Sequence, residues 1–393
     1  MSSSERPYIA YGRMRRWLGI AYVGVIVSAC LILLSCGLAT RFFTVVSMPI
    51  AGLAVELGCA LLLFLLCSLP FDIVGFNIEK LYARTNISLV SFLGKQVCAA
   101  FRYGLLLLLI SLLVASVWGY FGLGGLLVAS LLLSLLLVST QLLWARFFGG
   151  IIIERELDGI SVPVLDGVKI ARLALVSSDE RCFSGGVVGL PGFETIIIPK
   201  RWLREFIPEQ LQAELARRNL IIASGGRSRG VLLAVLFTNI GLILAASETV
   251  INLALPLNSA AGLVTLSALF TIWSFVGLLT LPFFSHPGVY EADRLALENG
   301  IGKDVLLQTI GKIDAYLEDE QERSHAVDTV FHPVPTVAHR LMALESKQKK
   351  KLQGAWHAAR YAVFLSVIGL GLLGRAVHCN AGKPELWALL PAD

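Results

Sequence analysis

Histidine and carboxylate side chains are the groups in this chain best able to hold a metal ion or carry protons. Its six histidines are His286, His325, His332, His339, His357 and His378. His286, Glu291, Asp293 and His332 together would make a mixed imidazole and carboxylate set of the kind that borderline divalent ions accept. The plainer reading has His332 holding a turn beside Pro333 and the remaining histidines solvated. No GxSxG elbow offers a nucleophile, and no paired-glutamate motif offers an acid and a base. The seven cysteines, Cys30, Cys36, Cys59, Cys67, Cys98, Cys182 and Cys379, contain no CxxC pair and no regular framework, which argues against both a disulfide scaffold and a thiolate metal site. Gly122 to Gly125 and Gly369 to Gly374 lack the GK[ST] ending of a phosphate loop and read as small-residue helix packing.

Two ionisable groups, Glu56 and Arg102, lie in or near apolar stretches, where a charge is costly and usually faces the protein interior. Glu56 suits a polar passage or a proton-coupled site. Arg102 is close enough to a helix end to snorkel.

The elements that must position these groups are membrane helices. Of the 393 residues 56% are hydrophobic and 16% charged, and the mean hydropathy is +0.73. That excludes a soluble enzyme and a disordered chain. Apolar runs long enough to cross roughly 30 Å of hydrocarbon predict about seven spans: Trp17 to Ala39, Val46 to Leu69, Val97 to Trp118, Leu123 to Leu143, Val231 to Leu253, Gly262 to Phe284 and Ala358 to Leu373. Lysine and arginine concentrate in the head before Trp17, around Lys80 to Lys95, between Arg146 and Arg229, and between Arg294 and Lys351. The alternate connections carry almost none, so the positive-inside rule places the N-terminus in the cytoplasm and the C-terminus outside. Lys347, Lys349, Lys350 and Lys351 suit an anionic leaflet, and no nucleic acid is needed to explain the net charge of +5. Compact loops point to a bacterial inner membrane.

Two cytoplasmic insertions complete the chain. The first predicts strands at Val168 to Val176, Gly186 to Leu190 and Glu194 to Ile198, then a helix over Gln210 to Ile222 that starts near Pro208 and stops at Ser224 to Gly226. The second predicts helices over Tyr290 to Glu298 and Asp304 to Glu318. The expected divisions are residues 1–143 (membrane), 144–229 (strands plus helix), 230–285 (two spans), 286–357 (second cytoplasmic half) and 358–393 (last span and outer tail).

The order of these segments and several local strings resemble the membrane-embedded zinc metalloproteases that include the type I CAAX prenyl protease and the HtpX-like proteases. The resemblance rests on Leu190-Pro191-Gly192 before a strand, Pro208-Glu209-Gln210-Leu211 opening a helix, Tyr290-Glu291-Ala292-Asp293 after two spans, and His332-Pro333 followed by Arg340 and Leu344. It implies a polytopic α-helical membrane protein with a cytoplasmic α+β, gluzincin-like domain. It also implies an HExxH helix, in which two imidazoles four residues apart hold zinc and the intervening glutamate activates water.

Laid on this chain, HExxH falls on Arg217-Arg218-Asn219-Leu220-Ile221. A guanidinium has no lone pair to offer and isoleucine has no donor atom. The third-ligand position, four residues before the retained Asp293, is Val289. The resemblance therefore implies a degenerate member with no catalytic residue and no zinc, in which Asp293 pairs with Arg217 or Arg218. The strand Glu194, Thr195, Ile196, Ile197 and Ile198 would border the cleft and take an extended peptide as one more strand. The expected function is an inactive homologue that binds a membrane or peptide client, in contact with the bilayer. Its rivals are an active membrane metalloendopeptidase with a relocated site, and a transporter or channel.

Overall fold

The computed structural model describes residues 6–148, 151–157, 171–178, 183–317, 327–328, 332, 334–345, 353–377, 381 and 383. Cys182, Cys379, His325, His378, Pro333, Lys347, Lys349, Lys350, Lys351 and residues 168–170 of the first expected strand lie outside that set.

The helices are α1 (Arg6–Ser35), α2 (Leu38–Phe42), α3 (Ile50–Leu81), α4 (Leu89–Ser139), α5 (Gln141–Phe147), α6 (Trp202–Glu205), α7 (Pro208–Ala223), α8 (Gly226–Ser247), α9 (Ala260–Glu298), α10 (Lys303–Leu317), α11 (Val337–Glu345) and α12 (Ala358–Leu365). Five of them, α1, α3, α4, α8 (continued to Asn252) and α9, are long and apolar enough to cross a membrane. The chain is an integral membrane protein, mostly helical with a small sheet.

Helix α4 folds back on itself. Arg102 Nη1 donates to the Phe147 carbonyl at 2.9 Å although 45 residues separate them, a stretch of about 68 Å if straight. The reversal sits at Gly122, whose φ of 57° and ψ of −152° belong to a region only glycine occupies comfortably. The expected third and fourth spans are thus the two limbs of α4.

Crossing direction follows from contacts at the two faces. On one face Tyr11 of α1 donates to Glu79 Oε1 of α3 at 2.5 Å. On the other, the connection before α3 meets the one before α9: Met48 N donates to Asn258 O, and Ala261 N to Thr44 O. Helices α1 and α3, both limbs of α4, α8 and α9 give six crossings among the described residues, not seven.

The expected seventh span is corrected. Helix α12 has 8 residues, about 12 Å, and is followed by 3-10 turns at Ser366–Gly369 and Leu373–Arg375. It descends between α8 and α9, reaches the level of Ser267 and Thr271 through bonds at Leu370 and Leu372, and turns back. Arg375 then pairs with Asp72 at 2.6 Å, Ala381 lies against Gly75 and Lys383 pairs with Glu79 at 2.9 Å. Those partners climb α3 toward the face of Tyr11. Residue 383 therefore returns to the side of Tyr11 on α1, not to the opposite face on which an odd span count would place it.

The sheet lies on the face of Tyr11. Its strands are β1 (Ile152–Leu157), β2 (Arg172–Ser177), β3 (Gly186–Val188) and β4 (Thr195–Pro199), ordered β1-β2-β4-β3. Strand β4 runs parallel to β2 and antiparallel to β3, with Ile197 opposite Gly186 and Ile196 opposite Val187. Helix α9 continues unbroken through Pro282 and Pro287, so the expected helix at Tyr290 is its last third.

If this path is right, cysteines placed before residue 6 and after residue 383 will react with an impermeant thiol reagent from the same face of sealed membranes. Labelling from opposite faces would restore a seventh crossing.

Candidate functional site: a buried ion network at the expected metal position

Helix α7 carries the expected zinc-binding register. Pro208 occupies its first turn with Glu209 beside it, where a missing N–H and a negative charge both suit the helix start. It ends at Ser224, and Gly225 at φ 77° both closes it and opens α8. Its middle is enclosed on every side, with Ala213 to Ile221 all buried. Polar groups there need partners inside the protein.

Those partners form one connected set. Arg217 Nε and Nη2 donate to Glu214 at 2.9 and 3.1 Å, and Arg217 Nη1 reaches Asp293 of α9 at 3.4 Å. Arg218 Nε donates to the same Glu214 at 2.5 Å. Its other nitrogens donate to the Ile197 carbonyl at 3.1 Å and the Ser184 carbonyl at 2.8 Å, and its guanidinium lies 5.2 Å from the centre of the Trp202 ring. Arg340 of α11 grips Asp293 with two bonds, 2.7 and 2.6 Å. Gly185 at φ 85° leaves room for this arrangement, since a Cβ there would stand 2.9 Å from Arg218 Nη1 and 2.1 Å from the Ile197 oxygen.

The remaining expected ligand positions have become apolar core. Ile221 and Val289 are fully buried in one cluster with Leu215, Ile196, Trp202 and Ala292. Zinc therefore does not fit the residues present: two positions supply cations, two supply hydrocarbon, and the nearby carboxylates already accept from guanidiniums.

The alternative set does not converge either. His286 Nε2 donates to the His332 carbonyl at 2.7 Å, and Asp328 accepts from Thr336 N and His339 Nδ1 beside the same turn. Glu291 faces Arg229, at 2.9 and 2.7 Å, and Gly354 N, at 3.1 Å. Among the described residues no group of three or more His, Cys, Asp or Glu side chains could hold a metal ion. Glu56 sits near the start of α3 and accepts from the N–H and hydroxyl of Thr44 at 3.0 and 2.5 Å, so it fastens a loop. Beside the sheet, Tyr316 of α10 donates to Glu205 at 2.6 Å. Burial, and then that bond, push its phenol above its ordinary range.

The peptide-binding strand needs correction. Strand β4 has β2 on one side and β3 on the other, and Arg218 bonds its Ile197 carbonyl, so Glu194 to Ile198 has no free edge for a peptide. Glu194 lies just before the strand and pairs with Arg227 at 3.4 Å. The sheet's edge on this side is β3. Its outward carbonyls are taken: Tyr361 Oη donates to Val187 O at 2.9 Å, and Arg227 Nη2 to Gly189 O.

Glu214, Arg227 and Tyr361 are the functional residues that sequence reasoning missed. Glu214 was within reach, standing three and four residues before the two arginines, where opposite charges meet on a helix.

No protein-family model matches this chain, and no curated protein matches it. Among solved structures it is similar to the crystal structure of S. mikatae Ste24p, at 14% sequence identity and a TM-score of 0.56, covering 74% of each chain. At this identity the likeness is one of fold alone.

Glu214 is the shared counter-ion of two buried arginines, so Glu214→Ala should cost about 3–5 kcal/mol, the usual penalty for stripping one partner from a buried pair. Denaturant unfolding of the detergent-solubilised protein would measure it. A loss under about 1 kcal/mol, typical of exposed pairs, would mean that water or a rearrangement neutralises the arginines.

Proposed function

We propose that this protein is a catalytically inactive relative of the membrane zinc metalloproteases, which acts by holding a membrane or peptide client without cutting it. One observation carries the reading. The positions that would hold zinc and its activating glutamate are Arg217, Arg218, Ile221 and Val289, all buried, with the guanidiniums committed to Glu214, Asp293 and backbone carbonyls. Hydrolysis needs a polarised carbonyl and an activated water, and this arrangement supplies neither lone pairs for a metal nor a free carboxylate as base.

The bilayer is the second partner, and no nucleic acid is involved. The basic segments support the face shared by the sheet and by residue 383 as the cytoplasmic one, and the compact loops support a bacterial inner membrane as its setting. The client engages surfaces other than β4, whose backbone is already paired on both sides.

Elemental analysis of the purified protein, with hydrolysis assays on unfolded-protein and prenylated-peptide substrates, tests this. Sub-stoichiometric zinc and no cleavage are expected. Stoichiometric zinc, lost together with cleavage in His286→Ala or His332→Ala, would establish an active peptidase with a relocated site.

A further inference from the structure

We infer that residues 353–377 are a built-in occupant of the sheet edge, a re-entrant strap that must leave before an extended client can add to β3. The inference deepens the proposed function and rests on it for the client's role; the strap itself rests on contacts in this chain.

Peptides add to a sheet through the outward-facing backbone groups of an edge strand, which alternate along it. On β3 those include the Val187 carbonyl and, just beyond the strand, the Gly189 carbonyl. Tyr361 of α12 donates to the first, while its own oxygen accepts from Arg227 Nη2 at 3.0 Å; Arg227 donates to the second. All three residues of β3 are buried. The strap is fastened above and below this point. Gly354 is clamped between Arg229 and Glu291, Trp356 N donates to Gly226 O, and Ala359 N donates to Ser285 Oγ at 3.1 Å.

A second observation is the strained backbone at the strap's two ends. Four non-glycine residues among those described have positive φ, and two of them, His357 at 60° and Leu370 at 62°, stand at the two ends of the α12 segment. Left-handed backbone at histidine and leucine is strained, so departure of the strap relieves both ends. The strap's bonds to β3 and to α9, together with burial of Tyr361, Phe364 and Leu365 in the core, hold that strain in place, and an opening must overcome both.

Hydrogen exchange on the full-length protein in detergent tests this. In the wild type, residues 186–189 and 358–365 should exchange through one shared opening, with matching protection. In Tyr361→Phe, which keeps the ring and removes the hydroxyl, residues 186–189 should exchange about five- to tenfold faster, as expected for one lost hydrogen bond. A photoreactive peptide of alternating valine and threonine should then crosslink to 186–189 in the variant and not in the wild type. Free exchange of β3 in the wild type while 358–365 stays protected would overturn the strap. So would equal peptide labelling of both proteins. The wild-type comparison decides the matter if Tyr361→Phe fails to fold. Failure here leaves the zinc and cleavage results untouched, so the two proposals fall separately.

Discussion

Three guanidiniums and two carboxylates at the end of the membrane bundle are closed off from water, and each must find its counter-charge or a carbonyl inside the protein. Taking such groups out of water costs several kcal/mol per ion, repaid only when geometry is good and the remaining donors are satisfied. Here the geometry recruits five separate pieces of chain. Glu214 and both arginines come from α7, Asp293 from α9, Arg340 from α11, and two backbone carbonyls from the strand segments at Ser184 and Ile197. A bound metal can join distant segments through shared ligands. This network joins the same neighbourhood through shared charge.

That coupling explains why sheet and bundle behave as one unit. Only Ser224 and Gly225 separate α7 from α8, so the helix that carries the ion network is joined by a two-residue turn to a crossing helix. Asp293 lies on α9, whose continuous 39 residues run from the far face of the membrane to the network. Arg227 and Arg229, in the first turn of α8, extend the connection to Glu194 and Glu291. Movement of α8 or α9 would therefore pull on buried ion pairs. The fold resists such shifts, and the hinges it does offer lie in the C-terminal strap.

Much of this was legible in the residues. Arg217, Ile221 and Val289 cannot bind zinc whatever surrounds them, because ligand capacity is a property of the side chain, and the structure brings Ile221 and Val289 into one cluster as the motif register implies. Asp293 does face Arg217, yet its principal partner is Arg340, about which spacing alone says nothing. The role given to Glu194 to Ile198 failed for a topological reason. Hydrophobic pattern identifies a strand, but edge or centre depends on where β3 pairs. The last span failed because hydropathy averages over composition and does not see direction. Ala358 to Leu373 is apolar enough, but it is shielded by α8 and α9 rather than by lipid. The glycines from 369 to 374, read as helix packing, accompany the turn that sends Arg375 back to Asp72.

The same energetics bear on whether such a site could acquire a metal by small steps. Converting Arg217 to histidine would supply one ligand but leave Arg218 as the only arginine facing Glu214, and would strip Asp293 of its α7 partner. Converting Ile221 or Val289 to a ligand would bury a polar group in a cluster of hydrocarbon side chains without a metal to satisfy it. Each single step is destabilising before any ion binds, because the benefit arrives only when all ligands are in place. Hydrocarbon at two positions and paired charge at the others thus form a stable alternative to the metal centre, one that single substitutions do not readily undo.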